Sequence, residues 1–340
     1  MADRCRIGFL ENETTFPLAY PQGDIVLYTA HMVTGVNFLT RISESLGFVA
    51  NTAINTTNII YESFILSAAK TSFAFGNKVY YKQKNTWKYD ALKNQWIGVD
   101  VSTGDVTSPV FLPQNYENVT SIAETRDFIY LVTKNTNTGT RSLLKVSKSD
   151  FTSGLGGIVE ELVLGYFTNY YNYDCALLDE NSIITSDSSL YLTINAFNNG
   201  GVPNFSTRMP YGTFPGYWFD DIQFCTAKNK TYCWVPGGSN FFGSVVEGQQ
   251  VQTPAVYYDV AAYRAQLKAL YPTLTDDQAS VWPYSAVTNG DSFFIDGAST
   301  IAGGIMIFKT DLNGIIISAR NNLIGGIIYR SYGGFCKLWD

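Results

Sequence analysis

The chain is expected to form an all-β fold, a β-propeller of about seven four-stranded blades with one small helical insertion and a blade shared by its N- and C-terminal ends. Three observations carry that expectation. Of 340 residues, 46% are hydrophobic and 15% aromatic, while only 15% are charged. A large core is therefore available, and the polar content rests on Asn, Thr, Ser and Gly, which suit sheets and turns better than solvated helices. Short apolar alternations broken by polar turns recur along the whole length, the grammar of antiparallel hairpins. Apolar, aromatic-bearing strands centred on Leu27, Tyr80, Tyr130, Tyr191, Cys233, Phe294 and Ile328 follow one another at a ragged spacing of about fifty residues, which fits a radial repeat. That spacing gives seven units, and six or eight fit nearly as well. Residues 1–340 read as a single domain, with an ordinary β-meander in a sandwich as the competing architecture.

Taken in order, Asp24–Tyr28, Val36–Leu39 and Gly47–Val49 make a first sheet, and Asn55–Asn58 reads as a loop. Ile59–Leu66 fits strand and helix equally. Residues 70–101 then hold the clearest strand grammar, with alternation at Val79–Tyr81, a break at Lys84-Asn85, and a polar turn from Ala91 to Gln95 leading into Trp96. The run Ser121–Asp127, Phe128–Val132, Ser142–Val146 and Ile158–Val163 spaces four strands over about forty residues, as a blade requires. Further units begin at Cys175 and Tyr217. The last contains Ser292–Ile295, Gly304–Phe308 and Ile315–Ser318, with Asn313-Gly314 as a hairpin turn. Because open sheet edges template association, a ring has to seal its first and last units. The strand-like segments Arg6–Leu10, Ile327–Tyr329 and Phe335–Leu338 are expected to share one blade.

Two stretches interrupt the pattern. Residues 198–218 are rich in Gly, Pro and aromatic residues and read as a long irregular loop, a kind of segment that carries function or covers a blade. Within about 255–283, Val260, Tyr263, Leu267 and Leu270 follow helical spacing, and Pro272 ends the helix. Thr275 with Gln278 makes a capping-box pattern for a second short helix that stops at Pro283.

Chemistry is read mostly by exclusion. The formal charge is −6 with no basic cluster, which argues against a nucleic-acid partner. The N-terminal residues lack the apolar core of an export signal and no run of about 18 apolar residues occurs. Synthesis in a cytoplasm without export, and no membrane insertion, are the expectation. The five cysteines, Cys5, Cys175, Cys225, Cys233 and Cys336, form no close pair and read as mostly buried thiols. His31 is the one histidine and stands in a strand-like context without a nucleophile motif. No P-loop, dinucleotide fingerprint, HExxH or EF-hand pattern is present. Acidic neighbours such as Asp220-Asp221 and Glu160-Glu161 point to opposite faces of a strand and cannot pair within one blade. Asp276-Asp277 is better explained as first-turn helix charge. No catalytic residue, metal ligand or cofactor is assigned.

One segment resembles a known family. Val79-Tyr80, a polar turn, then Tyr89-Asp90 and Trp96 are similar to the second half of a kelch repeat, although Lys82–Asn85 stands where kelch repeats carry a double glycine. The resemblance implies a propeller that binds proteins or sugars or serves as a scaffold. Low charge and Asn/Thr/Gly/Tyr richness also resemble virion proteins, particularly tail and neck components of bacterial viruses. The expected role is thus a non-catalytic structural or interaction propeller, a subunit of a homo- or hetero-oligomeric assembly and of a phage tail or neck particle. The alternative is a propeller that binds or cleaves carbohydrate at a host surface, with Trp218, Trp234 and Trp282 as stacking platforms. The candidate binding residues are Tyr211, Phe214, Tyr217 and Trp218 in the long loop, and Trp282 and Tyr284 after the helical insertion.

Overall fold

The computed structural model describes residues 19–55, 71–82, 94–166, 175–177, 182–186, 191–196, 203–208, 223–228, 230–235, 240–247, 250–251, 258–281, 286–297, 299–331 and 335–339. Antiparallel meanders follow one another along the chain. The first comprises β1 (Ile25–His31), β2 (Asn37–Ile42) and β3 (Phe48–Ala53). The second comprises β4 (Phe73–Phe75), β5 (Lys78–Lys82), β6 (Gln95–Asp100) and β7 (Val110–Phe111). In the third, β8 (Tyr116–Glu124), β9 (Phe128–Asn135) and β10 (Thr140–Ser147) lead through a one-turn helix α1 (Lys148–Thr152) into β11 (Ile158–Tyr166). The fourth is β12 (Cys175–Leu177), β13 (Ser182–Ser186), β14 (Tyr191–Ala196) and β15 (Pro203–Arg208). The fifth is β16 (Gln223–Ala227), β17 (Lys230–Val235), β18 (Asn240–Glu247) and β19 (Gln250–Val251). After helix α2 (Val260–Leu270) come β20 (Ala286–Thr288), β21 (Phe293–Asp296), β22 (Ile305–Thr310) and β23 (Ile316–Asn321).

The chain then returns to its first sheet. A hairpin of β24 (Leu323–Ile324) and β25 (Ile327–Ser331), followed by β26 (Cys336–Lys337), supplies the strand that β1 lacks on its inner side. Thr29 pairs with Ser331, and Val26 with Cys336. A blade built from early and late segments of the chain is therefore observed, with Ile25–His31 as the early one; the expected place of Arg6–Leu10 in it lies outside the described residues. It also explains the spacing count. Leu27 and Ile328 stand in the same sheet, so the seven strand centres occupy six sheets among the described residues.

Period-two alternation builds the seams between sheets. On β1, Ile25 and Leu27 pack with Phe294, Met306 and Ile307 of the sixth sheet, while Val26 and Tyr28 pack with Val79, Tyr81 and Ile97 of the second. On β9, Ile129 and Leu131 join Phe73, Tyr80 and Trp96, while Tyr130 and Val132 join Cys175 and Ile183 of the fourth sheet. Strand β12 touches β16, and Ala227 packs with the core of the sixth sheet. Each sheet is thus apolar on both faces, and the sheets close into a ring, a β-propeller.

Three expectations are corrected. The stretch 198–218 is not irregular throughout, because Pro203–Arg208 pairs with β14 as the last strand of its sheet. Pro203 tolerates this place since an edge strand leaves its missing N–H unneeded. The capping pair of Thr275 and Gln278 forms reciprocally, Thr275 N to Gln278 Oε1 at 3.0 Å and Gln278 N to Thr275 Oγ1 at 3.2 Å. It closes one turn and no second helix follows among the described residues. At Asn313-Gly314 only the glycine has a positive φ, of 79°. Asp311 Oδ1 accepts from Asn313 N and Ile315 N instead, so the side chain shapes a longer turn.

Helix α2 begins at an Asp259 cap whose Oδ1 accepts from Ala262 N at 2.8 Å. Its Tyr263 and Leu267 are buried against Phe293 and Phe308. The opposite flank serves the outer edge of the sixth sheet. Gln266 Oε1 accepts from Ile316 N at 2.8 Å, and the Tyr271 hydroxyl accepts from Ala319 N at 3.0 Å. An edge that would otherwise offer free backbone groups is covered.

Candidate functional site

The order of strands determines where a partner or ligand can be met. In an antiparallel meander, turns between second and third strands and connections from a fourth to the next first strand leave by one end of the ring. The stretches of more than ten residues between consecutive described strands are 54–72, 83–94, 209–222 and 252–285, and the described strands that flank each of them open on that end. Between described strands, the stretches at the opposite end are ten residues or shorter. This loop-bearing end is the candidate interaction face.

Its described part contains an aliphatic rim. The turn after β1 exposes Met32 and Val33, the latter 87% exposed. Met32 N donates to Ile328 O at 3.1 Å, tying that turn to the β24–β25 hairpin, where Leu323 and Ile327 are exposed. Next to it Ile301 is exposed, and the Asn322 side chain donates to Ser299 O and Ile301 O. Residues 32–36, 299–306 and 321–329 contain no Asp, Glu, Lys or Arg. His31 belongs to this rim as a turn former, since its Nδ1 accepts from Val33 N and Thr34 N. Its ring meets Tyr329 edge-on.

The seam between the second and third sheets adds polar groups towards the same end. Glu161 of β11 accepts from Ser142 Oγ at 2.5 Å, Tyr116 OH at 2.5 Å and Asn135 Nδ2 at 3.1 Å. Burial would raise its pKa, but these three donors outweigh burial and hold the carboxyl below its usual range. Burial, with the adjoining carboxylate, pushes Tyr116 up to about 12. Asn94 bridges to β8 by donating to Tyr116 O and accepting from Val119 N. Lys82, at the end of β5, is 9% exposed and donates to Val119 O at 2.7 Å. Burial lowers its pKa to about 8.

At the opposite end the buried charges are paired. Lys148 Nζ, wholly buried, meets Glu124 Oε2 at 2.6 Å and donates to Ala74 O at 2.8 Å. Glu124 also accepts from Ala74 N and from Trp339 Nε1. Lys337, also wholly buried, meets Glu44 Oε1 at 2.6 Å and donates to Gly23 O. Each pair lies within one sheet, and the Lys148–Glu124 pair reaches the second sheet through Ala74 N and O. Among the described residues no three His, Cys, Asp or Glu side chains form a metal-holding group, and no helix is long and apolar enough to cross a membrane.

The six sequence-derived binding residues, Tyr211, Phe214, Tyr217, Trp218, Trp282 and Tyr284, lie outside the described residues. So do Tyr89 and Asp90 of the kelch-like segment, whereas Trp96 is buried and donates from Nε1 to Thr71 O at 2.9 Å. The sequence reading missed the aliphatic rim, although three charge-free stretches in one chain signalled it. Of the cysteines, Cys175 and Cys336 are buried as expected, and Cys225 is half-buried.

No protein-family model matches the chain, and a search of curated proteins returns no match. Among solved structures the chain is similar to a protein of unknown function from Bacteroides caccae, 9% identical over 92% of this chain and 98% of that one, with a TM-score of 0.49. It is similar also to the Neurospora crassa Pan2 WD40 domain, 7% identical over 90% and 74% of the chains, TM-score 0.43. For BamB from Moraxella catarrhalis the values are 8%, 86%, 69% and 0.38. Likeness at this level bears on no activity, and the ring of sheets itself makes this chain a β-propeller.

Proposed function

We propose that this propeller is an interaction subunit of a larger protein assembly, engaging its partner through the loop-bearing end. The observation that carries the reading is the exposed rim of Met32, Val33, Ile301, Leu323 and Ile327, contributed by three segments without a charged residue. An aliphatic surface of this kind gains by being covered, at about 25 cal/mol per Å² of apolar area. Lys148 and Glu124 of the third sheet both bond the Ala74 backbone of the second, a blade-to-blade tie that supports a scaffold role. The compositional likeness to virion subunits extends the same proposal to a viral particle.

Hydrodynamic mass is the test, measured by sedimentation velocity on the whole chain across a wide concentration range. Expected is a species heavier than the monomer that reverts to monomer in the Val33→Glu/Ile327→Glu variant. A monomer at every concentration, combined with specific retention on a glycan array, would replace this reading with carbohydrate recognition.

A further inference from the structure

Among the described residues three lysines are buried to nine-tenths or more: Lys82, Lys148 and Lys337. Two of them meet a carboxylate oxygen at 2.6 Å, Lys148 on Glu124 and Lys337 on Glu44. Each also donates to a backbone carbonyl, Ala74 O and Gly23 O respectively. Lys82 has the second half of this arrangement without the first. It donates to Val119 O at 2.7 Å, and no carboxylate among the described residues pairs with it. An ammonium has three N–H donors, and removing it from water without a counter-ion is costly. On its side of the seam stand Tyr80 of the same strand and, from the third sheet, Tyr116 and Glu161. Glu161 is engaged by Ser142, Tyr116 and Asn135. Lys82 is moreover the last residue of β5, at the strand end that opens on the loop-bearing face.

We propose that Lys82 is a binding site for a small carboxylate, which enters the seam between the second and third sheets from the loop-bearing end and takes the place that Glu124 and Glu44 occupy on the other two buried lysines. The scaffold itself indicates the ligand class, since the two other buried ammonium groups among the described residues are each seated by a carboxylate. With 9% of the residue exposed, the ion has to be compact, of the size of formate or acetate. The bound anion favours the protonated amine, and the lowered pKa of Lys82 then rises. This inference is independent of the partner-binding reading, because it concerns the free protein.

The test is an NMR titration of the whole chain carrying 13Cε-labelled lysine, in sodium chloride and in sodium acetate at equal ionic strength. Lys82→Met assigns the resonance, and Lys82→Gln serves if the Met variant does not fold. Expected in acetate is a midpoint raised by about half a unit or more, roughly a threefold preference for the protonated form. The other lysines keep one midpoint in both salts. A Lys82 midpoint that is the same in acetate and chloride overturns the proposal, as does an equal acetate shift spread over all lysines.

Discussion

The indole N–H of Trp339 donates to Glu124 Oε2 at 3.2 Å, and that oxygen is the one Lys148 Nζ meets at 2.6 Å. The Lys148 ammonium also lies 5.2 Å from the Trp339 ring centre. One carboxylate thus fastens the segment after β26 to the third sheet, with Ala74 N of the second sheet as a further donor. Glu124→Leu leaves a buried ammonium unpaired and is expected to cost about 3–5 kcal/mol. The double variant Glu124→Leu/Lys148→Met removes both charges and should recover much of that loss. Urea denaturation of the three proteins checks it, and equal stability of single and double variants would contradict the coupling.

Gly104 holds a φ of 76°, and a Cβ there would drive into the Ala53 carbonyl oxygen of the neighbouring sheet. Gly139 has a similar φ of 69° with open space around it. Replacing each by Ala separates backbone strain from close approach. Gly139→Ala is expected to cost about 1 kcal/mol, and Gly104→Ala roughly 2–4 kcal/mol. The comparison is read from denaturant midpoints at constant slope.

The lowered pKa of Lys82 has a definite sign in stability. Burial takes the amine from 10.5 to about 8, so between those values the unfolded chain binds the proton that the folded chain has lost. Stability therefore rises with pH across this window, and below pH 8 the full penalty of about 3 kcal/mol applies. Lys82→Met removes the penalty but forfeits the hydrogen bond to Val119 O, for a net gain of about 2 kcal/mol at pH 7. The gain should shrink as pH rises and become a loss of about 1 kcal/mol near pH 10.5, where only the missing hydrogen bond is left. A constant difference across that range would show that the amine titrates normally.

Strand β23 owes its shielded edge to two side chains of the α2 segment. Gln266→Ala and Tyr271→Phe each free an N–H of that edge, at about 1 kcal/mol apiece. The double variant should also associate with rising concentration, visible by light scattering, because an uncovered edge recruits other chains. Unchanged scattering would mean that packing of Tyr263 and Leu267 suffices to shield the strand.

Strand grammar was legible where alternation is strong. Ile25–Tyr28 and Phe128–Val132 announce themselves because each sheet is apolar on both faces, and α2 follows from Val260, Tyr263, Leu267 and Leu270. The fourth strand at Pro203–Arg208 was hidden by its polar, proline-led sequence, since an edge strand is held by its neighbour's backbone rather than by its own side chains. A repeat at the third-to-fourth turns also went unread. Ser43, Asp100, Ser147 and Asp311 each accept backbone N–H groups at the start of such a turn, with Ser45, Ser102, Ser149 and Asn313 two residues on. Lys82 could not be singled out from sequence. Its burial, and its lack of a carboxylate among the described residues, depend on how β5 packs against β8, which no local pattern encodes. The aromatic binding candidates rested on composition alone, and composition does not locate side chains.

The pairing of Val26 with Cys336 has a consequence for how the molecule is made. Strand β1 is among the earliest described segments to leave a ribosome, yet its inner neighbour is translated some three hundred residues later, about 15–60 s at ordinary elongation rates. Throughout that interval the blades between can form as local hairpins, while β1 keeps an unsatisfied flank. Completion of the circle thus waits for Ile327–Lys337, and a nascent chain stalled before residue 336 is expected to depend on holding factors that a longer one does not need.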